Sequence, residues 1–255
     1  MKYAIVNVPV AALRRKPRHP KEMVNQLLFG ETVQVLKTKG DAWVKVKSLH
    51  DNYEGWMTLS LLEETDEITA LQKPVFVTAG LLTRISQDSQ AMHIPIGASL
   101  PNFTEGTCMI NKQAFFVEGL VLNRMEHPAS SVLIDKLVQP WLNAPYLWGG
   151  RTPLGVDCSG FVQVNFKLMG IDLPRDAWQQ AQYGEPVESI NEAKPGDLVF
   201  FDDKEEIVHV GILLNKETVI HASGKVRIDP IDKKGIINAQ TGKRTYRLKA
   251  IRRYW

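Results

Sequence analysis

The chain has 255 residues, 44% of them apolar and 23% charged, with a net charge of +3. That balance is ordinary for a soluble globular protein and sets a prior of two or three domains. It gives no argument for a nucleic-acid partner, because the one basic run, "LRRKPRH", reads as a solvated loop.

No window approaches the roughly 18 apolar residues of a membrane helix, so no membrane partner is expected. The start, "MKYAIVNVPVAALRRKP", is interrupted by Asn7 and Pro9 and is followed by no small-residue cleavage site. It reads as a strand rather than a signal peptide. Cys108 and Cys158 lie far apart and read as free thiols, which points to the cytoplasm.

The first 65 residues read as all-β. "YAIVNVPVAAL", "TVQVLKTKGDAWVKVKS" and "EGWMTLSLL" are short runs rich in Val, Thr and Trp, and "KGD" is a turn signal. Val33 and Val35, then Val44 and Val46, alternate with polar neighbours, the period of half-buried strands. A second set follows in residues 66–125, with "PVFVTAG", "HIPIGASL" and "GTCMINKQAFFVEGL". Cys108 in this set reads as a small core residue.

The texture changes at "RMEHPASSVL", and residues 126–255 read as one α+β domain. A Ser can cap a helix whose apolar stripe is Val132, Leu133, Leu137 and Val138, limited by Pro140. After the loop "NAPYLWGGRTPLGV" a second helix runs from about Cys158 to Met169 and stops at Gly170. "GDLVFFD", "VHVGILL" and "ETVIHAS" are strands.

"VDCSGF" carries the chemistry. Asp157 is a favoured N-cap, which puts Cys158 at the first helical position. The dipole and free N–H groups there favour an anion, so the thiol is expected to lose its proton more easily. The same N–H groups can support an oxyanion. A Cys nucleophile needs a base and an orienting group, and His209 and His221 are the candidates. A three-residue turn centred on Lys216 puts residue 221 opposite 211, with 209 its diagonal neighbour on the same face. A two-residue turn would put the two on opposite faces. A zinc site from Cys158, His209 and His221 lacks a close-spaced ligand pair and ranks below nucleophilic catalysis. His19, His50, His93 and His127 read as structural or solvated.

"YLWGGRTPLGVDCSGFV", "PGDLVFF", "VHVGI" and "VIHASG" resemble, in order, the motifs of the NlpC-type cell-wall endopeptidases, a papain-like cysteine peptidase family. The resemblance implies Cys158 as nucleophile, His209 as general base and His221 as the residue that orients it, with no cofactor. "LRRKP", "FGETVQVL", "WVKVK" and "EGWM" resemble bacterial SH3-like domains. The implied architecture is two small all-β SH3-like barrels followed by an α+β papain-like domain. That arrangement is similar to the dipeptidyl-peptidase VI type, the γ-D-glutamyl-L-diamino acid endopeptidases that recycle murein peptides with a free N-terminal L-Ala. The resemblance implies that Tyr146, Ser159 and Asp176 line the substrate groove. It implies that Glu22 and Tyr53 are contributed by the first barrel, which closes one end of the groove.

Two other readings stand beside this one. The same triad could serve a secreted hydrolase of intact wall, targeted by its SH3-like domains, or the chain could be a non-catalytic wall-binding module. The third residue of the peptide stays open between meso-diaminopimelate and L-Lys, and the sequence fixes no oligomeric state.

Overall fold

The computed structural model describes all 255 residues. Its contacts divide into two units, Met1–His127 with Trp148–Pro153, and Pro128–Leu147 with Leu154–Trp255. No helix is long and apolar enough to cross a membrane.

In the first unit, β1 (Tyr3–Val6), β2 (Val10–Arg14), β3 (Met23–Leu28), β4 (Thr32–Lys39), β5 (Trp43–Ser48), β6 (Glu54–Thr58) and β7 (Leu62–Thr65) form one sheet. Its order is β3-β2-β6-β5-β4-β1-β7. The alternation of Val33, Val44 and Val46 places them in one core with Leu13, Leu27 and Met57, and Val35 packs at its edge. Strand β3 hides its period because one inward position is Asn25. That amide is satisfied locally: its Oδ1 accepts the Gln26 N–H at 2.8 Å.

A short helix α1 (Glu67–Leu71) leads to β8 (Phe76–Thr78), β9 (Leu82–Gln87), β10 (Gln90–Pro95), β11 (Thr107–Ile110), β12 (Gln113–Glu118) and β13 (Val121–Asn123). Strand β9 also escapes its sequence pattern, since Thr83 faces in and Leu82 faces out. Ile85, Ile94, Cys108, Ile110 and Phe115 share a second core with Ile5 and Leu28 from the first sheet and with Phe29 just after β3. One apolar interior therefore continues across position 65. Gly30, at φ +74°, permits that approach: a Cβ there would lie 2.1 Å from the Ser99 carbonyl oxygen.

The segment Trp148–Pro153, which contains β14 (Arg151–Thr152), lies in the sequence range expected for the C-terminal domain but packs with this first unit. A buried ion pair holds it. Arg151 donates to both Glu31 oxygens at 2.8 and 2.9 Å and to the Gln26 carbonyl at 2.8 Å.

In the second unit, α2 (Ser131–Val138) is capped by Ser130, whose Oγ accepts the Leu133 N–H at 3.2 Å. Its buried face is Ile134 and Val138, an i, i+4 pair, whereas Val132, expected in the stripe, is exposed. After β15 (Gly155–Val156), α3 (Cys158–Leu168) is buried along its whole length and ends at Gly170 with φ +80°. Then come α4 (Ala177–Gln180), β16 (Glu185–Pro186), β17 (Leu198–Asp203), β18 (Glu206–Asn215), β19 (Thr218–Ser223), β20 (Lys225–Asp232), β21 (Gly235–Ile237) and β22 (Arg244–Arg253).

Strands β17 to β22 pair in sequence order, and β22 pairs with both β21 and β17. The sheet thus closes into an antiparallel barrel, which leaves no free edge among these strands. Val199, Phe201, Leu213, Val219, Ile231, Ile236 and Ile251 share its interior core. The alternate residues Leu198, Phe200, Ile212 and Ile220 are buried on the opposite face, and α3 packs against β18 and β19.

Candidate active site

Cys158 is the first residue of α3, and Asp157 caps it in extended backbone, its Oδ1 accepting the Gly160 N–H at 2.7 Å. Asp157 is itself held in place. Arg175 donates to Asp157 Oδ1 at 2.9 Å and to Ser159 Oγ at 2.8 Å, and all three residues are buried. A guanidinium therefore clamps the cap and the residue after the cysteine. Gln180 donates to the Ser159 carbonyl at 3.1 Å, which ties α4 to the same turn. The only sequence signal for Arg175 is its place beside Asp176 in "LPRDAW".

The backbone N–H of Val210, on β18, hydrogen-bonds the Cys158 thiol. The residue before it is His209. His209 pairs with Phe201 across the sheet, and Phe201 belongs to the barrel's interior core, so the imidazole points inward. Gly211 lies opposite His221. The loop is a two-residue turn between Asn215 and Thr218, the turn expected to separate the histidines. A bulge between Leu213 and Asn215 adds one residue and restores the register, so both face one way. Their ring nitrogens meet, His209 Nε2 to His221 Nδ1, at 2.7 Å. Gly211 leaves room for this diagonal contact. A Cβ there would lie 2.6 Å from Val219 Cγ2 and 3.1 Å from His221 Cβ.

Two further side chains complete the cluster and carry no sequence motif. Tyr246 of β22 stacks on His209 with ring centroids 4.1 Å apart and planes 12° from parallel. Asp229 of β20 accepts from His221 Nε2 at 3.0 Å. Both come from strands that the sequence pattern does not reveal.

Burial dominates the electrostatics of the reactive pair. It pushes the Cys158 thiol up to about 12, with the nearby Asp157 charge acting the same way, against the Val210 N–H, Arg175 and the Ser159 N–H. Burial, then the neighbouring His221, holds His209 well below the usual histidine value. In the substrate-free site desolvation thus outweighs the helix N-terminus, contrary to the sequence expectation of a loosened thiol proton. Burial thus favours the uncharged form of both the thiol and the imidazole. Burial also raises the Tyr146 phenol, with Cys158 and Asp157 as further causes, so it stays a hydrogen-bond donor.

The remaining residues singled out in the sequence fall as follows. Asp176 caps α4, and its N–H donates to Gln179 Oε1 at 3.2 Å. In the first unit, Glu22 binds Arg15 at 2.8 Å and accepts from Trp148 Nε1 at 3.0 Å. Tyr53 packs half-buried against the first core, and its N–H donates to Asp51 Oδ1 at 3.1 Å. Cys108 is buried in the second core, its thiol pushed up to about 12 by burial.

Residues 143–245 match the NlpC/P60 family, and residues 13–62 match the bacterial dipeptidyl-peptidase SH3 domain. The chain is 30% identical to a gamma-D-glutamyl-L-lysine dipeptidyl-peptidase of Bacillus cereus, over 88% of this chain and 75% of that one. It is 33% identical to the protein of the same name from Bacillus subtilis, over 77% of this chain and 71% of that one. With dipeptidyl-peptidase 6 of Lysinibacillus sphaericus it shares 27% identity over 90% and 92% of the two chains. The crystal structure of an NlpC/P60 family protein from Bacillus cereus has the same fold, with a TM-score of 0.80 over 99% of each chain at 21% identity. The chain belongs to the NlpC/P60 family of cysteine peptidases and carries that family's dipeptidyl-peptidase SH3 domain ahead of it.

Proposed function

We propose that this peptidase cleaves the bond between γ-D-Glu and the diamino acid in murein peptides that begin with a free L-Ala, in cytoplasmic recycling of the cell wall. One observation carries the reading: the thiol that opens α3 is hydrogen-bonded by the backbone next to His209, whose ring is bonded to His221. The relatives named gamma-D-glutamyl-L-lysine dipeptidyl-peptidase supply the substrate class. The second β-body, residues 66–125, is read as a second SH3-like barrel.

Cys158 is the nucleophile and His209 the base. The thiol proton passes to His209 as Sγ attacks the γ-carbonyl carbon of D-Glu. The oxyanion forms at the first turn of α3, where backbone N–H groups point outward from the helix start. Collapse expels the amine of the diamino acid, which takes the proton from His209. Water, deprotonated by the same imidazole, then hydrolyses the thioester and releases the γ-carboxylate and the thiol. His221 orients the base. Tyr146, Ser159 and Asp176 are assigned to the substrate. The hydroxyl of Ser159 is already engaged by Arg175, so its contribution is a fixed dipole rather than a free rotor.

The test is mass spectrometry of products from defined peptides, L-Ala-γ-D-Glu-L-Lys and its meso-diaminopimelate counterpart, each with its amine free or acetylated. Release of L-Ala-D-Glu from the free-amine peptides alone is expected. A charged hydrogen bond to the amine is worth about 1.5–3 kcal/mol, which corresponds to roughly ten- to a hundredfold in kcat/KM. Equal rates on free and acetylated peptides, or release of peptide from purified sacculi, would favour a hydrolase of intact wall.

A further inference from the structure

Asp229 is buried, 1% exposed, on β20. Its register partner is Val219, and Arg227 is the residue opposite His221, so Asp229 reaches His221 diagonally. Its two oxygens do different things. Oδ1 accepts from the Ala239 N–H at 2.9 Å and from Arg227 at 2.8 Å. Oδ2 accepts from His221 Nε2 at 3.0 Å. Burial alone would raise this carboxyl, but the bonds from His221, Ala239 and Arg227 outweigh it and hold it at about 2. With three donors turned toward it, the carboxylate is held as an anion.

An ionised carboxylate only accepts hydrogen bonds, so His221 Nε2 carries a proton. A neutral His221 then presents a bare Nδ1. His209 Nε2 lies 2.7 Å from that atom and must donate to it. The single proton of neutral His209 is thereby fixed on Nε2, which leaves its Nδ1 free to take another. We infer that Asp229 is a positioning residue: through His221 it fixes His209 as the Nε2–H tautomer, the form whose Nδ1 can accept the thiol proton. The chain Asp229–His221–His209 thus has one allowed direction of hydrogen bonding. This rests on the reading of His209 as the base.

The geometry makes the isosteric substitution the harmful one. In Asp229→Asn the Ala239 N–H and the Arg227 guanidinium can only donate, so the amide oxygen must face them. The amide NH₂ then faces His221 and turns Nε2 into an acceptor. The proton of His221 moves to Nδ1, His209 Nε2 becomes the acceptor, and His209 Nδ1 is left protonated. Asp229→Ala imposes no such reversal, because either tautomer of His221 remains open.

The experiment has two arms. Turnover of L-Ala-γ-D-Glu-L-Lys should show kcat of Asp229→Asn lowered about 10²-fold or more, as expected for a base locked in the wrong tautomer. KM should change by less than about threefold, and Asp229→Ala should retain at least roughly tenfold more kcat than Asp229→Asn. Equal losses in the two variants, or a smaller loss in Asn, would overturn the inference. The second arm is ¹⁵N NMR of histidine-labelled wild type at neutral pH, which needs neither a folded variant nor an active enzyme. Protonated Nε2 with bare Nδ1 is expected on both His221 and His209. A bare Nε2 on either ring, or two protonated nitrogens on His221, would overturn it even if turnover were never detected.

Discussion

Glu31→Gln tests what holds the segment Trp148–Pro153 in the first unit. Arg151 is fully buried and Glu31 nearly so, at 0% and 1% side-chain exposure, and two hydrogen bonds join them. The amide keeps the shape and can accept one of those bonds, but it leaves the guanidinium charge buried without its counter-charge. Breaking one side of a buried pair costs about 3–5 kcal/mol, because the remaining charge stays desolvated. Against a typical total of about 5–15 kcal/mol, that is from about a fifth to the whole of the stability. Urea unfolding followed by tryptophan fluorescence should show the loss, and trypsin should begin to cut after Arg151 in the folded variant. The double substitution Glu31→Leu with Arg151→Met removes both charges at once and should recover most of the loss. A Glu31→Gln protein within about 1 kcal/mol of wild type, or a double variant no better than the single ones, would refute the argument.

Cys158→Ala should abolish turnover and leave the fold intact, while Cys108→Ala keeps most activity, as kinetics and thermal melting of both variants will show. His209→Ala should lose about 10²–10⁴-fold in kcat and alkylate Cys158 with iodoacetamide more slowly than wild type, whereas His221→Gln, which can still accept from the ring, retains more; equal alkylation rates would break the thiol–imidazole assignment. Gly211→Ala places a methyl 2.6 Å from Val219 and should lower stability by about 1–3 kcal/mol and kcat at least tenfold by moving His221. Acid unfolding should carry the mark of Asp229. Its folded value of about 2 lies below the ordinary 3.8, so its contribution is complete above about pH 4 and is lost as the pH falls through 2; titration of stability in Asp229→Asn should lack that slope.

The sequence made the local features of the fold legible. Alternation at Val33, Val44 and Val46 marks strands, and Asp157 with Gly170 brackets a helix, because each depends on neighbours in the chain. Strands β3 and β9 escaped because Asn25 and Thr83 occupy inward positions where a pattern reader expects apolar side chains. Strand β22 escaped for the opposite reason. It is rich in arginine, and those side chains pair with partners far away, Arg247 with Asp202 and Arg253 with Asp197. Strand β20 contains Pro230, which argues against a strand when only the sequence is read.

A three-residue loop alone would bring the histidines to one face; the loop holds two residues, and the bulge at Leu214 supplies the missing one. A bulge has no composition signature here, since Leu213 and Leu214 differ only in where they point. The same holds for the supports of the site. Asp229 lies only eight residues from His221, yet its role depends on the β19–β20 pairing, which "KVRIDPID" does not announce. Arg151 and Glu31 stand 120 residues apart, and charged residues of either kind are almost always placed at the surface when a sequence is read. The residues proposed for the chemistry, Cys158, His209 and His221, are marked by residue type and local setting. The residues proposed to aim them are ordinary charged side chains brought to the site by distant strand pairing, so they become visible only when the sheet is closed.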